Sequence, residues 1–168
     1  MTDVLKVQDL EAGSGEKVQG YLSIAERPAG RHRIPVMLVN GVGKGPTVVI
    51  NGGEHGSEYN GPAGVLELMK TLGPEDLDGK VILVPMVNTL AFEARWMHGN
   101  PIDYRDLTGY YVEEIPRGGS GPPKITYYVT TTFYREVLSQ ADYRLNLHGG
   151  DIEEDLLTGT MYRMTGDD

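Results

Sequence analysis

The sequence predicts an α/β fold: a mixed, largely parallel sheet flanked by helices, in one domain over residues 1–168. Three observations carry the prediction. From Thr47 to Asn88 the chain reads apolar strand, amphipathic helix, apolar strand, and such a βαβ unit favours parallel strands joined by a right-handed crossover. Two further apolar segments precede that unit, and one more, "ADYRLNLHGG", follows it. The chain is long enough to bury roughly 70% of the surface its unfolded form exposes, and at 39% hydrophobic and 23% charged it has a globular composition.

The elements follow in order. "VQGYLSIA" alternates in part and "IPVMLVN" is nearly continuous and apolar, so residues 17–40 read as two strands around a Pro/Gly turn. "NGVGKGP" reads as a hairpin turn, because its glycines fit neither the Walker nor the dinucleotide spacing and no Lys-Ser/Thr opens a helix after them. "PTVVINGG" is a buried strand ending in glycines. "SEYNGPAGVLELMKTLG" is a helix with Val65, Leu66, Leu68, Met69 and Leu72 on its apolar face and Gly73-Pro74 as its stop. "GKVILVPMVN" is the next strand. From Thr89 to Lys124 periodicity is lost, "RGGSGPP" marks a mobile loop, and a stretch of that length in a compact domain points to function. "ITYYVTTTFYREVLSQ" opens with β-formers, but its later part, with Phe133, Val137 and Leu138, favours a helix. "TGTMYRM" near the end reads as the start of a strand.

Charge and composition narrow the partners. A formal charge of -9 without clustered Lys and Arg argues against nucleic acid. A small molecule or another protein fits better, and a homo-oligomer stays open. There is no cysteine, so a metal must be held by His, Asp or Glu. The N-terminus has neither a basic n-region nor an apolar h-region, and no run nears the roughly 20 apolar residues of a membrane helix. These features lead to the expectation of a soluble, cytoplasmic protein with no membrane partner.

The chemistry gathers at two strand ends. "TVVINGGEHG" and "YRLNLHGG" both run out into glycines beside a histidine, and in an open α/β sheet such ends line the ligand crevice. If the two strands are neighbours, His55, Glu58 and His148 converge. Two imidazoles and a carboxylate are the protein ligands of a catalytic zinc that keeps a fourth position for water. The glycines let the backbone turn sharply around each ligand. Glu54, the acid nearest His55, is left without a role. Taken alone, the same residues also suit a polar turn and a satisfied buried histidine.

"VVINGGEHGSEYNGPAG", "ILVPMVNTLAFEARW", "NPIDYRDL" and "ADYRLNLHGGD", in that order over residues 46–155, resemble the succinylglutamate desuccinylase/aspartoacylase family of zinc-carboxypeptidase-like hydrolases. The resemblance implies a zinc-carboxypeptidase-like fold and one zinc ion per chain at His55, Glu58 and His148. It further implies hydrolysis of a small amide, classically an N-acyl amino acid. In such a reaction the metal acidifies water, a carboxylate moves the proton, and arginines neutralise the oxyanion and grip a substrate carboxylate.

Three departures from the family pattern qualify the expectation. The family follows "DL" with an Asn-Arg pair that holds the substrate carboxylate, whereas Thr108 and Gly109 stand here. Arg95, Arg105 and Arg117 are the candidates to replace that grip, with Arg95 and Arg117 the preferred substrate-binding residues. Asn146 stands two before His148, where the family commonly has Asp, and a neutral amide supports a ligand less than a carboxylate does. The family's general-base glutamate lies beyond the region of resemblance, and Glu153 and Glu154 read as a solvated acidic run, so the catalytic base is unknown. The expectation is therefore a zinc-dependent deacylase domain that is incomplete at its C-terminus. The alternatives are a non-catalytic metal- or ligand-binding domain and a carboxypeptidase-like metallopeptidase.

Overall fold

A computed structural model of the chain describes residues 4–28, 30–107, 124–151 and 154–161. Its centre is a five-stranded mixed sheet. β1 (Leu5–Val7) and β2 (Leu10–Ala12) form a small antiparallel pair that the sequence reading did not anticipate. β3 (Glu16–Arg27) and β4 (Gly30–Asn40) form a long antiparallel hairpin, with one register shift between Ser23 and Ala25. β5 (Thr47–Gly52), α1 (Asn60–Thr71) and β6 (Lys80–Val84) make the expected βαβ unit. α2 (Thr89–Ala94), α3 (Ile125–Glu136) and β7 (Tyr143–Leu147) follow.

The strand order is β3-β4-β6-β5-β7. β4 pairs antiparallel with β6, whereas β5 lies parallel to both β6 and β7. "NGVGKGP" is thus a crossing connection and not a hairpin turn, because β6 sits between β4 and β5. β4 takes β6 as its second neighbour over Met37–Asn40, which places β5 one strand further on. The loop glycines allow close backbone packing: Gly41 N–H donates to Gly79 O (2.9 Å) and Gly45 N–H to Asp78 O (2.7 Å).

Period-two alternation in β6 divides the core. Val81 and Leu83 meet Val65, Leu68, Met69 and Leu72 of α1 on one face. Ile82 and Val84 meet Val129, Phe133 and the β1–β2 pair on the other. Leu66, expected on the apolar face of α1, is 47% exposed. The β-formers that open α3 are overruled by burial: Thr126, Val129, Thr130, Phe133 and Val137 are buried at helical spacing. α2 gives regular structure to part of the stretch expected to lack it. Thr158–Met161 form no strand, and the rest of "TGTMYRM" lies outside the described residues. Among the described residues no helix is long and apolar enough to cross a membrane.

Candidate metal centre

The C-terminal ends of β5 and β7 lie side by side, with Asn51 opposite Asn146 and Gly52 opposite Leu147. β5 leaves the sheet through Gly53 at φ +67, where an added Cβ would fall 2.3 Å from Met86 Sδ. The left-handed turn and the missing side chain both require glycine. The next loop carries Glu54, His55 and Glu58 and enters α1. There Gly61 closes on β7, and a methyl group on it would lie 2.4 Å from the Leu147 carbonyl oxygen. This close approach brings Glu58 to His148.

His55 Nδ1 lies 2.5 Å from Glu58 Oε1, and His148 Nδ1 lies 2.9 Å from Glu58 Oε2. The Gly149 N–H donates to the same Oε2 at 3.1 Å. The imidazole centroids are 5.1 Å apart, and donor atoms of the three side chains all lie within 4.8 Å of one another. His55 and Glu58 are mostly buried, and His148 is 37% exposed, so the group is open on one side. Ser57 Oγ donates to Asp151 Oδ1 and ties the two ligand loops together.

The donor set is two imidazole nitrogens and a carboxylate with no thiolate, which suits zinc and other divalent ions of borderline hardness. Burial works against a charge on the His55 ring, but the carboxylates of Glu58, Asp106 and Glu54 outweigh it and hold its pKa above the usual value. That concentration of negative charge also favours a cation. A second grouping, His55, His98 and Asp106, shares one ligand with the first. It is looser, with Asp106 Oδ2 3.4 Å from His55 Nε2 and 3.8 Å from His98 Nδ1, and His98 is 60% exposed.

The supporting residues come from segments read only in part from the sequence. Asn88 caps α2 by accepting from Ala91 N–H, and its Nδ2 donates to Glu54 O and Gly99 O. Asn100 donates to Asp103 and Thr126, which folds the "NPIDYRDL" loop against α3 and delivers Asp106 to His55. Arg144 reaches Asn51 Oδ1 with Nε (2.9 Å) and Glu54 Oε1 with Nη2 (2.5 Å). Glu54 is therefore no bystander: its side chain is 1% exposed and ion-paired.

The expected substrate arginines fare differently. Arg95 is exposed at the C-terminal end of α2 in a left-handed conformation, one residue before Trp96, whose carbonyl accepts from Gly56 N–H. Arg105 is half-buried, and its Nη1 donates to Tyr127 Oη at 3.2 Å. Arg117 and Glu153 lie outside the described residues, and Glu154 is exposed.

Comparisons with known proteins point the same way. Residues 44–107 match the model of the succinylglutamate desuccinylase/aspartoacylase catalytic domain. The N-alpha-acetyl-L-2,4-diaminobutyric acid deacetylase of Halomonas elongata is 34% identical over 136 residues, which cover 81% of this chain and 37% of that protein. A succinylglutamate desuccinylase/aspartoacylase from Rhodobacter sphaeroides superposes with a TM-score of 0.67 at 30% identity, over 79% of this chain and 40% of that one. The product-bound ectoine utilization protein EutE (DoeB) from Ruegeria pomeroyi gives 0.63 at 30%, over 77% and 39%. The chain thus spans about two fifths of the length of these relatives.

Proposed function

Because the chain belongs to the succinylglutamate desuccinylase/aspartoacylase family, we propose that it carries the metal centre of a zinc-dependent hydrolase acting on the amide bond of a small N-acyl amino acid or related amide. The observation that supports this reading most is the meeting of His55, Glu58 and His148 at the ends of two adjacent parallel strands. A divalent ion held there supplies Lewis acidity to a scissile carbonyl and lowers the pKa of water toward neutrality.

The chain's own residues set the stage for that chemistry. His55 and His148 each turn Nδ1 toward Glu58, which spans both rings, and Gly149 N–H fixes Glu58 Oε2. Asp106 faces Nε2 of His55 and holds a proton there, which leaves Nδ1 as the ligand atom. The open side at His148 admits a small substrate. An acetylated diamino acid is the substrate named for the Halomonas relative, in keeping with an N-acyl amino acid as the class here. Arg95 and Arg117 are proposed to grip its carboxylate; no general base is assigned among the described residues.

The test is acylate release from N-acyl amino acids and from neutral amides by the zinc-loaded chain, beside His55→Ala and Arg95→Ala. Release that disappears in His55→Ala supports the hydrolase. A larger loss in Arg95→Ala for the anionic substrates supports the grip, and equal losses reject it. Zinc bound at His55 without release from any substrate would favour a metal-binding domain instead.

A further inference from the structure

We propose that Glu54 is a positioning residue for His148: its buried carboxylate receives the Nε2–H of the His148 ring when Nδ1 is committed to a divalent ion. The inference rests on the metal centre assigned above.

A chain of hydrogen bonds fixes the direction of every partner. Arginine can only donate, so Arg144 Nε makes Asn51 present its carbonyl oxygen (2.9 Å). Asn51 Nδ2 then donates to Asn146 Oδ1 (2.7 Å), which leaves Asn146 only its amide nitrogen to turn toward His148 Nε2, 2.8 Å away. An N–H donor at Nε2 suits the tautomer whose proton sits on Nδ1, where Glu58 Oε2 accepts it at 2.9 Å. That tautomer is wrong for a metal ligand at Nδ1, because the ion needs the Nδ1 lone pair and the proton must move to Nε2.

Glu54 is placed to receive it. Its Oε2 lies 3.7 Å from His148 Nε2, and its Oε1 is anchored by Arg144 Nη2. Arg144 lies on β7 and His148 directly follows its last residue, so the Arg144 contact ties the Glu54 carboxylate to the strand that carries the ring. Histidine ligands ordinarily direct the second ring N–H to such an acceptor, which orients the ring and raises its basicity. The Arg144–Asn51–Asn146 relay thus favours the metal-free ring and Glu54 the metal-bound one, and the two compete for a single nitrogen.

The test is zinc affinity by chelator competition for the wild type, His148→Ala, Glu54→Gln, Asn146→Asp and Glu54→Gln/Asn146→Asp. Each is paired with long-range proton–nitrogen NMR of the zinc-loaded histidines and with metal-free thermal unfolding. Glu54→Gln should weaken zinc about 10–100-fold and remove the slowly exchanging Nε2–H of His148. Asn146→Asp places an acceptor at the same nitrogen and should restore most of both in the double variant. Wild-type affinity in Glu54→Gln would overturn the inference. So would a loss that Asn146→Asp does not rescue while the metal-free melting temperature falls, since that marks a structural ion pair alone. Should Glu54→Gln not fold, Glu54→Asp takes its place: it keeps a negative charge beside Arg144 but draws the carboxylate back by one methylene from His148, and it should weaken zinc and loosen the Nε2–H in the same direction. If His148→Ala binds zinc as tightly as the wild type, the metal centre fails and this inference with it. If His148→Ala loses zinc but Glu54→Gln does not, only the role of Glu54 falls.

Discussion

Asp106 Oδ2 lies 3.4 Å from Nε2 of His55, on the opposite side of the ring from the Nδ1 that faces Glu58. The carboxylate comes from a loop pinned by Asn100, Asp103 and Thr126, and the histidine comes from the end of β5. Second carboxylates of this kind typically contribute 10–100-fold to metal affinity. Asp106→Asn should therefore weaken zinc binding by about 10-fold or more while leaving the metal-free fold intact. Chelator competition and circular dichroism check the two halves of that statement.

The raised pKa of His55 gives metal uptake a definite pH dependence. A ring that keeps its proton above the usual histidine value makes the ion displace that proton. Apparent zinc affinity should fall as pH drops below the raised value and level off above it. Calorimetry in buffers of different ionisation enthalpy should detect the released proton near neutrality, and release should shrink as pH rises.

His32 predicts the opposite kind of pH effect, on stability. It is buried on β4 at 5% exposure, and that burial, followed by the nearby Arg27 charge, lowers its pKa to about 4 from an ordinary 6.5. The unfolded chain thus binds the proton first. Its stabilising contribution is complete above pH 6.5 and is lost as pH falls toward 4, by at most about 1.4 kcal/mol per pH unit. Urea unfolding of the metal-free chain at pH 7 and pH 4.5 should show a smaller loss for His32→Gln than for the wild type. Equal losses would exclude this histidine as the cause.

Gly61 makes the contact that carries Glu58 to β7. Gly61→Ala should cost roughly 1–3 kcal/mol through overpacking against the Leu147 carbonyl, and should weaken zinc by displacing the start of α1. Gly64→Ala, one turn on, meets nothing closer than Leu147 Cδ1 at 3.9 Å and serves as the control. Its unfolding midpoint should stay level or rise.

Much of this was legible in the sequence, for reasons that particular residues make clear. The run from Thr47 to Val84 announced itself because β5 and β6 are apolar almost throughout and α1 between them is apolar along one face. His55, Glu58 and His148 could be joined because strand ends with glycines sit where parallel sheets place ligands, and β5 and β7 are indeed neighbours. The insertion of β6 between β4 and β5 was not legible, since pairing partners are chosen by tertiary packing and a glycine loop fits either course. α3 was half legible because its β-branched opening residues face the core at helical spacing, a pattern that composition hides. Asp106 and Arg144 escaped notice because their partners, His55 and Glu54, are distant in sequence. Only the fold brings each charge to its counterpart.

His55, Glu58 and His148 are proposed to hold one divalent ion. The most direct measurement is the zinc content of the purified chain after reloading and removal of loose metal, for the wild type beside His148→Ala. Close to one zinc per chain is expected in the wild type and little in the variant. A wild type that retains no metal, or a variant that retains as much, would contradict the proposal.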